Sequence, residues 1–191
     1  MPVLPTGLST NLIIVIESIA KDNIIILLFL TIILCLLLGM GLPTTANYVV
    51  VASLMTSVLV EVGAASGFIF PLIAVHLFVF YFGLMADVTP PVGLASYAAA
   101  AISGGDPLRT GMQAFWYSLR TAILPIVFLF NHELLLIGIE NTWHALLVIA
   151  TSLTGILVFT AATQGWFFNK LKWYEIIIFL IISISLLTPE F

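Results

Sequence analysis

Long uncharged runs set the pattern of this chain. No Asp, Glu, Lys or Arg falls between Asp22 and Glu61, between Glu61 and Asp87, between Glu140 and Lys170, or between Glu175 and Glu190. Such runs are what a hydrocarbon core about 30 Å thick demands of the helices that enter it. Residues 8–20 differ: they are moderately apolar, hold Asn11 and Glu17, are followed by Lys21, and predict a segment lying in the interface. Two arms follow, 24–38 and 46–60, each of 15 residues, on either side of Gly39-Met40-Gly41-Leu42-Pro43-Thr44-Thr45. As a helix, each arm rises roughly 22 Å at about 1.5 Å per residue. That is short of the roughly 20 residues a crossing helix needs. Two short arms on a Gly/Pro/Thr tip predict a re-entrant hairpin dipping towards the midplane. Two thin transmembrane helices with a tight turn fit the same lengths.

Residues 68–103 repeat the theme. An apolar run, 68–86, is broken by Asp87-Val88-Thr89-Pro90-Pro91-Val92-Gly93 and resumes as an alanine-rich stretch, 94–103. Pro90 and Pro91 remove two backbone donors, and Pro91 disfavours helix at Pro90. Carbonyls are thereby left without helical partners, and irregular backbone at membrane depth is tolerated only where protein or a water-filled cavity satisfies it. The run 68–86 is also long enough to cross by itself, which places Asp87 at the far surface; sequence leaves both placements open. After Gly104-Gly105 the pattern turns amphipathic, with Arg109, Gln113 and Arg120, and Asp106-Pro107 has the form of a helix start. Three plainer segments, 121–139 (with Pro125 inside), 143–163 and 173–187, complete the chain. Trp116, Tyr117, Trp143, Trp166 and Trp173 stand near segment ends, as aromatic belts do. The predicted organisation is an interfacial or linking segment 1–23, a hairpin 24–60, a discontinuous transmembrane helix with an amphipathic loop 61–118, and three transmembrane helices in 119–191. The fold class is all-α integral membrane protein.

Composition agrees with the pattern. Apolar residues make up 62% of the chain and charged residues 7%, against about 25% charged in an ordinary globular domain. The net charge of -4 comes with no basic patch, which excludes a nucleic-acid binder. A single cysteine, Cys35, excludes a disulfide within the chain. The start, Met1-Pro2-Val3-Leu4-Pro5-Thr6-Gly7, lacks the basic opening of a secretory signal and is expected to be a truncation point or domain edge. Arg109 and Arg120 precede one span and Lys170 and Lys172 follow the next, so four of the five basic residues share a face. The positive-inside rule makes that face cytoplasmic.

The irregular segments carry the candidate chemistry. Loose carbonyls and short hydroxyl side chains are oxygen ligands suited to a hard cation. An intramembrane carboxylate is costly and by default functional, so Asp87 is a candidate to ligate sodium, carry a proton or cap the helix starting near Leu94. The plainer role is an interfacial aspartate opening the turn before Pro90. His76 has no second ligand at metal spacing and is expected to hydrogen-bond a neighbouring helix. Glu61 is expected near the interface, and the aromatic cluster 78–82 on a packing or lipid-facing surface. The small residues 98–101 and Gly104 suit close helix contact.

Two motifs go further. Gly39-Met40-Gly41-Leu42-Pro43-Thr44-Thr45-Ala46-Asn47-Tyr48 resembles a hairpin-tip motif in the large membrane subunit of TRAP transporters. Ala86-Asp87-Val88-Thr89-Pro90-Pro91-Val92-Gly93 resembles the discontinuous-helix motif of the same subunit. With Gly104-Gly105-Asp106-Pro107-Leu108-Arg109-Thr110-Gly111, the second resembles the fused-permease branch, in its C-terminal portion. The resemblance runs from about Thr6 to the last segment. His132 departs from it, since that branch usually has proline there. The chain holds material for one of the family's two pseudo-repeats, so it is expected to be a fragment or truncated product, completed by a remaining permease portion.

The resemblance implies half of an elevator-type secondary transporter in a bacterial inner membrane. It implies uptake of small carboxylates with a coupling ion, sodium or else a proton, and delivery by an extracytoplasmic substrate-binding protein. No other cofactor and no enzymatic activity are expected. It places coupling-ion contacts at Gly39, Gly41, Thr44 and Thr45 and at Asp87, Thr89, Pro90 and Gly93, and substrate contacts at Asn47, Thr45 and Pro91. Half-helix N-termini would face the anionic substrate. An intramembrane aspartyl protease needs two facing aspartates, and only Asp87 is available; Ser103-Gly104-Gly105 is too common to mark a serine enzyme. The rival from another class is a non-transporting assembly or channel subunit, which the short length favours and which solute-independent ion conductance would reveal.

Overall fold

The computed structural model describes residues 14, 15, 18, 23–139 and 141–188. The interfacial segment expected over 1–23, with Asn11, Glu17, Lys21 and Asp22, lies almost wholly outside the described residues, as does Glu140. The Asn23 side chain accepts from the N–H groups of Ile25 and Ile26 at 3.0 and 3.3 Å, which caps α1 (Ile24–Gly39). The helix ends where the N–H groups of Gly41 and Leu42 both turn back to the Leu38 carbonyl, at 3.1 and 3.0 Å. Pro43 then precedes α2 (Thr44–Ala65), its fixed φ suiting a helix entrance.

The two arms are unequal. α1 has 16 residues and α2 has 22, so α2 rises about 33 Å and is long enough to cross. Expected to stop at residue 60, before the charge of Glu61, it runs five residues further, because one exposed glutamate does not interrupt a helix. Gly67, at φ 86, turns the chain, and α3 (Leu72–Met85) begins after Pro71. With 14 residues, α3 rises about 21 Å and does not cross a 30 Å core alone.

α1, α2 and α3 pack on one another through residues four apart. Leu27, Thr31 and Cys35, Val51, Met55 and Leu59, and Val75 and Val79 are all at 0% exposure, since that spacing returns side chains to one helical face. Thr31 satisfies its hydroxyl on the Leu27 carbonyl at 2.8 Å. After a break come α4 (Leu94–Ser103) and α5 (Pro107–Thr121). Gly104 ends α4 at φ 71, and Asp106 caps α5 by accepting from Arg109 N–H at 2.8 Å.

The single span expected over 121–139 does not form. α5 ends at Thr121, α6 covers Ile123–Phe130, and a 3-10 turn covers His132–Leu135. Pro125 cannot donate to the carbonyl of Thr121, so the helix is interrupted there, and Pro125 falls in the first turn of α6, where no donor is needed. The apolar stretch of crossing length is instead Pro107–Phe130. Asn131 caps the 3-10 turn, accepting from Glu133 N–H at 3.2 Å. His132 takes the position after that cap, where proline is also at home.

The chain divides into two units near Pro125. In the second, α7 (Thr142–Gln164) and α8 (Trp173–Leu187) pack side by side. Gly155 allows the approach: a Cβ there would stand 3.1 Å from the Leu187 side chain. Ser183 donates to the Gly155 carbonyl at 2.9 Å, and Asn131 donates to Leu187 O at 2.8 Å. Between the helices, Trp166–Phe167 and Asn169–Lys170 form a two-residue antiparallel ladder, the only strand pairing among the described residues. The protein is all-α, and among the described residues three helical stretches are long and apolar enough to cross a membrane: Thr44–Ala65, Pro107–Phe130 (α5 and α6 with the interruption between them) and Thr142–Gln164.

Candidate functional site: a cleft where a hairpin tip meets a broken helix

Gly39 brings the tip of the first hairpin against the end of α3. A Cβ on Gly39 would collide with Cβ of Ala86 and come within 2.6 Å of the Asn47 amide nitrogen. Asn47 itself is at 0% exposure. Its Nδ2 donates to the Cys35 carbonyl at 2.9 Å and ties the arms together, while its Oδ1 is buried with no partner among the described residues. Asn47 thus stands inside the hairpin, against α3, and off the wall of the cleft described next.

The break after α3 is wound tightly. Asp87, Val88 and Thr89 donate their N–H groups to the carbonyls of Leu84, Met85 and Ala86 at 3.2, 3.2 and 3.3 Å. The Pro90–Pro91 peptide is cis, and Gly93 takes φ 30 before α4 begins. A Cβ on Gly93 would lie 2.6 Å from Ser96 Oγ, so both the conformation and the space there require glycine. The carbonyls expected to be loose are not. Those deprived of donors by Pro90 and Pro91 belong to Ala86 and Asp87; Thr89 N–H serves the first, and Ala95 N–H serves the second at 3.2 Å. Pro91 O accepts the Tyr97 hydroxyl, and Gly93 O accepts the Ser96 hydroxyl at 2.8 Å. A carbonyl oxygen keeps a second lone pair, so these groups remain possible cation ligands.

Tip and break enclose a cleft of about 480 Å³. Residues 39–44 form one wall, and Asp87, Val92, Leu94 and Ala95 form the other. Of the residues singled out from sequence, Gly39, Gly41, Thr44 and Asp87 lie on it. The rest stand away from its walls. Thr45 is exposed in the first turn of α2 and Pro91 is exposed at the break. Thr89 donates its hydroxyl to Met85 O at 2.6 Å. Pro90 packs towards α5, where a Cβ on Gly111 would meet its ring at 3.2 Å. Gly93 is buried at the start of α4. Met40, Leu42, Pro43, Val92, Leu94 and Ala95 were missed as lining residues, because their side chains carry no polar group to mark them. Ser96 was missed too, although a serine three residues after a helix-opening glycine is a recognisable local tie.

Electrostatically the cleft has two kinds of pole. The first residues of α2 and α4, Thr44 and Leu94, both open on it, and helix N-termini favour anions. The C-terminal end of α1 at Gly39 opens on it as well, and that end favours cations. Pro43 has no N–H to give the Gly39 carbonyl four residues back. The Asp87 carboxylate has no ion pair or hydrogen bond among the described residues. It is partly buried and stands beside those dipoles.

A second groove, about 680 Å³, lies between α2 and α3 and is lined by Tyr48, Thr56, Glu61 and His76 among others. Tyr48 Oη and His76 Nδ1 are 3.0 Å apart, so His76 hydrogen-bonds the neighbouring helix as expected. Among the described residues no group of three His, Cys, Asp or Glu is placed to hold a metal ion.

The family model of the tripartite ATP-independent periplasmic transporter, DctM component, matches residues 3–143. That is about three-quarters of the chain. The model of a domain of unknown function (DUF3394) matches residues 145–191. No curated protein and no solved structure matches.

Proposed function

Because the chain belongs to the family of the DctM component of tripartite ATP-independent periplasmic transporters, we propose that it carries an ion-coupled site for small carboxylates in the cleft between hairpin tip and broken helix. Membership makes it a multi-pass component of a transporter permease. Sodium, or a proton in its place, is the proposed coupling ion, organic acids are the solutes, and an extracytoplasmic binding protein supplies them. The rest of the permease completes the site in a bacterial inner membrane.

The observation that carries this reading is the meeting, on one cleft, of two helix N-termini, one helix C-terminus and the carboxylate of Asp87, which has no ion pair or hydrogen bond among the described residues. A carboxylate substrate entering beside Asp87 meets like charge in a medium of reduced dielectric. A cation held by Asp87, the Thr44 hydroxyl and the carbonyls of Gly39 and Gly41 removes that repulsion, after which the substrate settles on the starts of α2 and α4. Uptake is therefore ordered, cation first. Thr89, Pro90 and Gly93 hold the break in shape, and their oxygens stand in reserve as ligands along with Thr45. Asn47, Thr45 and Pro91 contact substrate only when the tip shifts against the break.

The test is uptake of labelled dicarboxylates and other small acids into membrane vesicles bearing the permease, with its binding protein, with and without an imposed sodium gradient. Accumulation that follows the gradient and needs the binding protein is expected. Accumulation of no solute under either a sodium or a proton gradient, with the protein folded and inserted, would overturn the reading.

A further inference from the structure

The connection between α7 and α8 belongs to the part of the chain matched by the domain of unknown function, and it is built unlike an ordinary loop. Gly165 at φ 68 and Phe168 at φ 56 reverse the chain. The ladder of Trp166 with Lys170 and Phe167 with Asn169 closes the turn, and Leu171 N–H donates to Gly165 O at 2.9 Å. Lys170 and Lys172 stand two positions apart in this extended stretch, a spacing that puts side chains on one side. They line a recess of about 390 Å³ whose other walls include Phe167, Asn169, Glu175 and Phe179. Phe167 meets Phe179 at a ring separation of 5.6 Å, edge to face, giving the recess an apolar side, and the Lys172 ammonium lies over the neighbouring Tyr174 ring, 5.7 Å from its centroid.

Three features say what such a recess takes. The two lysines outnumber the one carboxylate, Glu175, whose Oε2 accepts the Lys172 backbone N–H at 2.8 Å across the first turn of α8. The recess therefore favours an anion. Trp166, Phe168 and Trp173 around it are 58%, 79% and 75% exposed, a belt of rings that suits the membrane–water boundary. Below it, Ile177, Ile178 and Ile181 of α8 are exposed as well, so the surface continues from the charged recess into an apolar face. An anionic head over an apolar body is the complement to that sequence of surfaces.

We propose that this turn is a binding site for an anionic phospholipid, its phosphate held between Lys170 and Lys172 and its glycerol and chains laid over Phe167, Phe179 and the isoleucines of α8. The site fixes the depth and rotation of the α7–α8 pair in the bilayer. It depends only on these two apolar helices lying in the membrane, and is independent of which solute or ion the permease part handles.

The full chain in detergent is titrated with phosphatidylglycerol and, separately, phosphatidylcholine, and bound lipids are counted by native mass spectrometry. Brominated phosphatidylglycerol provides a second readout through quenching of tryptophan fluorescence, because Trp166 and Trp173 flank the recess. Phosphatidylglycerol is expected to bind in preference to phosphatidylcholine. The pair K170Q/K172Q should weaken it by about tenfold or more, and K170R/K172R should restore it. Single variants K170Q and K172Q, each expected to show part of the loss, serve if the Gln pair fails to fold. Equal binding of the two lipids, or unchanged preference in folded Gln variants, would overturn the proposal. Displacement of phosphatidylglycerol by millimolar inorganic phosphate would overturn it too, by showing that the recess takes the free anion.

Discussion

Gly39 has no room for a side chain, because Ala86 and the amide of Asn47 fill the place where a Cβ would stand. Replacing it by valine forces the tip away from the broken helix. The expected cost is about 1–3 kcal/mol, read as a lower melting temperature in detergent, with uptake lost besides. A variant that melts like the parent would mean that tip and break are not packed this way. The two threonines of the motifs make opposite demands. Thr44 lines the cleft, whereas the hydroxyl of Thr89 is spent on Met85 O. Thr44→Val is therefore expected to raise the sodium concentration for half-maximal uptake several-fold. Thr89→Val should cost about 1 kcal/mol of stability with little change in that concentration. At this scale the sequence marks which polar residues interrupt the apolar runs and not which face a common cavity. Gly39, Thr44 and Asp87 are visible as breaks in an apolar pattern. That Asn47 points inward to Cys35 O is fixed by packing between three helices, which no local pattern encodes.

Helix ends in this protein follow capping chemistry more closely than they follow hydrophobicity. Asp106 starts α5 and Gly104 ends α4 where the residue types predict. α2 overran its expected end because Glu61 interrupts the apolar pattern without interrupting the hydrogen-bond ladder. The span expected over 121–139 failed for the complementary reason: apolar composition continues past Pro125 and Asn131, but the backbone does not. α7 and α8 were legible to within a residue, since each is bounded by a capping or turn residue at both ends of an apolar run. Their contact rests on Gly155, and Gly155→Leu would drive a side chain into Leu186 and Leu187. Loss of the α7–α8 pairing is expected, observed as faster proteolysis in the turn at 165–172. Unchanged protection would show that the two helices are held together elsewhere. The Tyr48–His76 bond ties α2 to α3; Tyr48→Phe should lower stability by about 1 kcal/mol in thermal or denaturant unfolding, and an unchanged midpoint would mean that the bond contributes nothing net.

At the scale of the whole molecule, a family of transporter components is expressed here as one hairpin and one broken helix closing on a cleft, followed by a second unit of two packed helices. The class was legible from uncharged runs alone, because a bilayer restricts what can sit inside it to helices and closed barrels. The cleft was legible as two motifs and became a site only when the fold set them face to face. The most direct test is sodium-gradient-driven uptake of the identified solute by the Asp87→Asn permease, beside the parent and at matched membrane expression. Loss of gradient-driven accumulation, with binding-protein docking intact, is the expected result. Asp87→Asn retaining the parent's sodium dependence would contradict a coupling site at the broken helix.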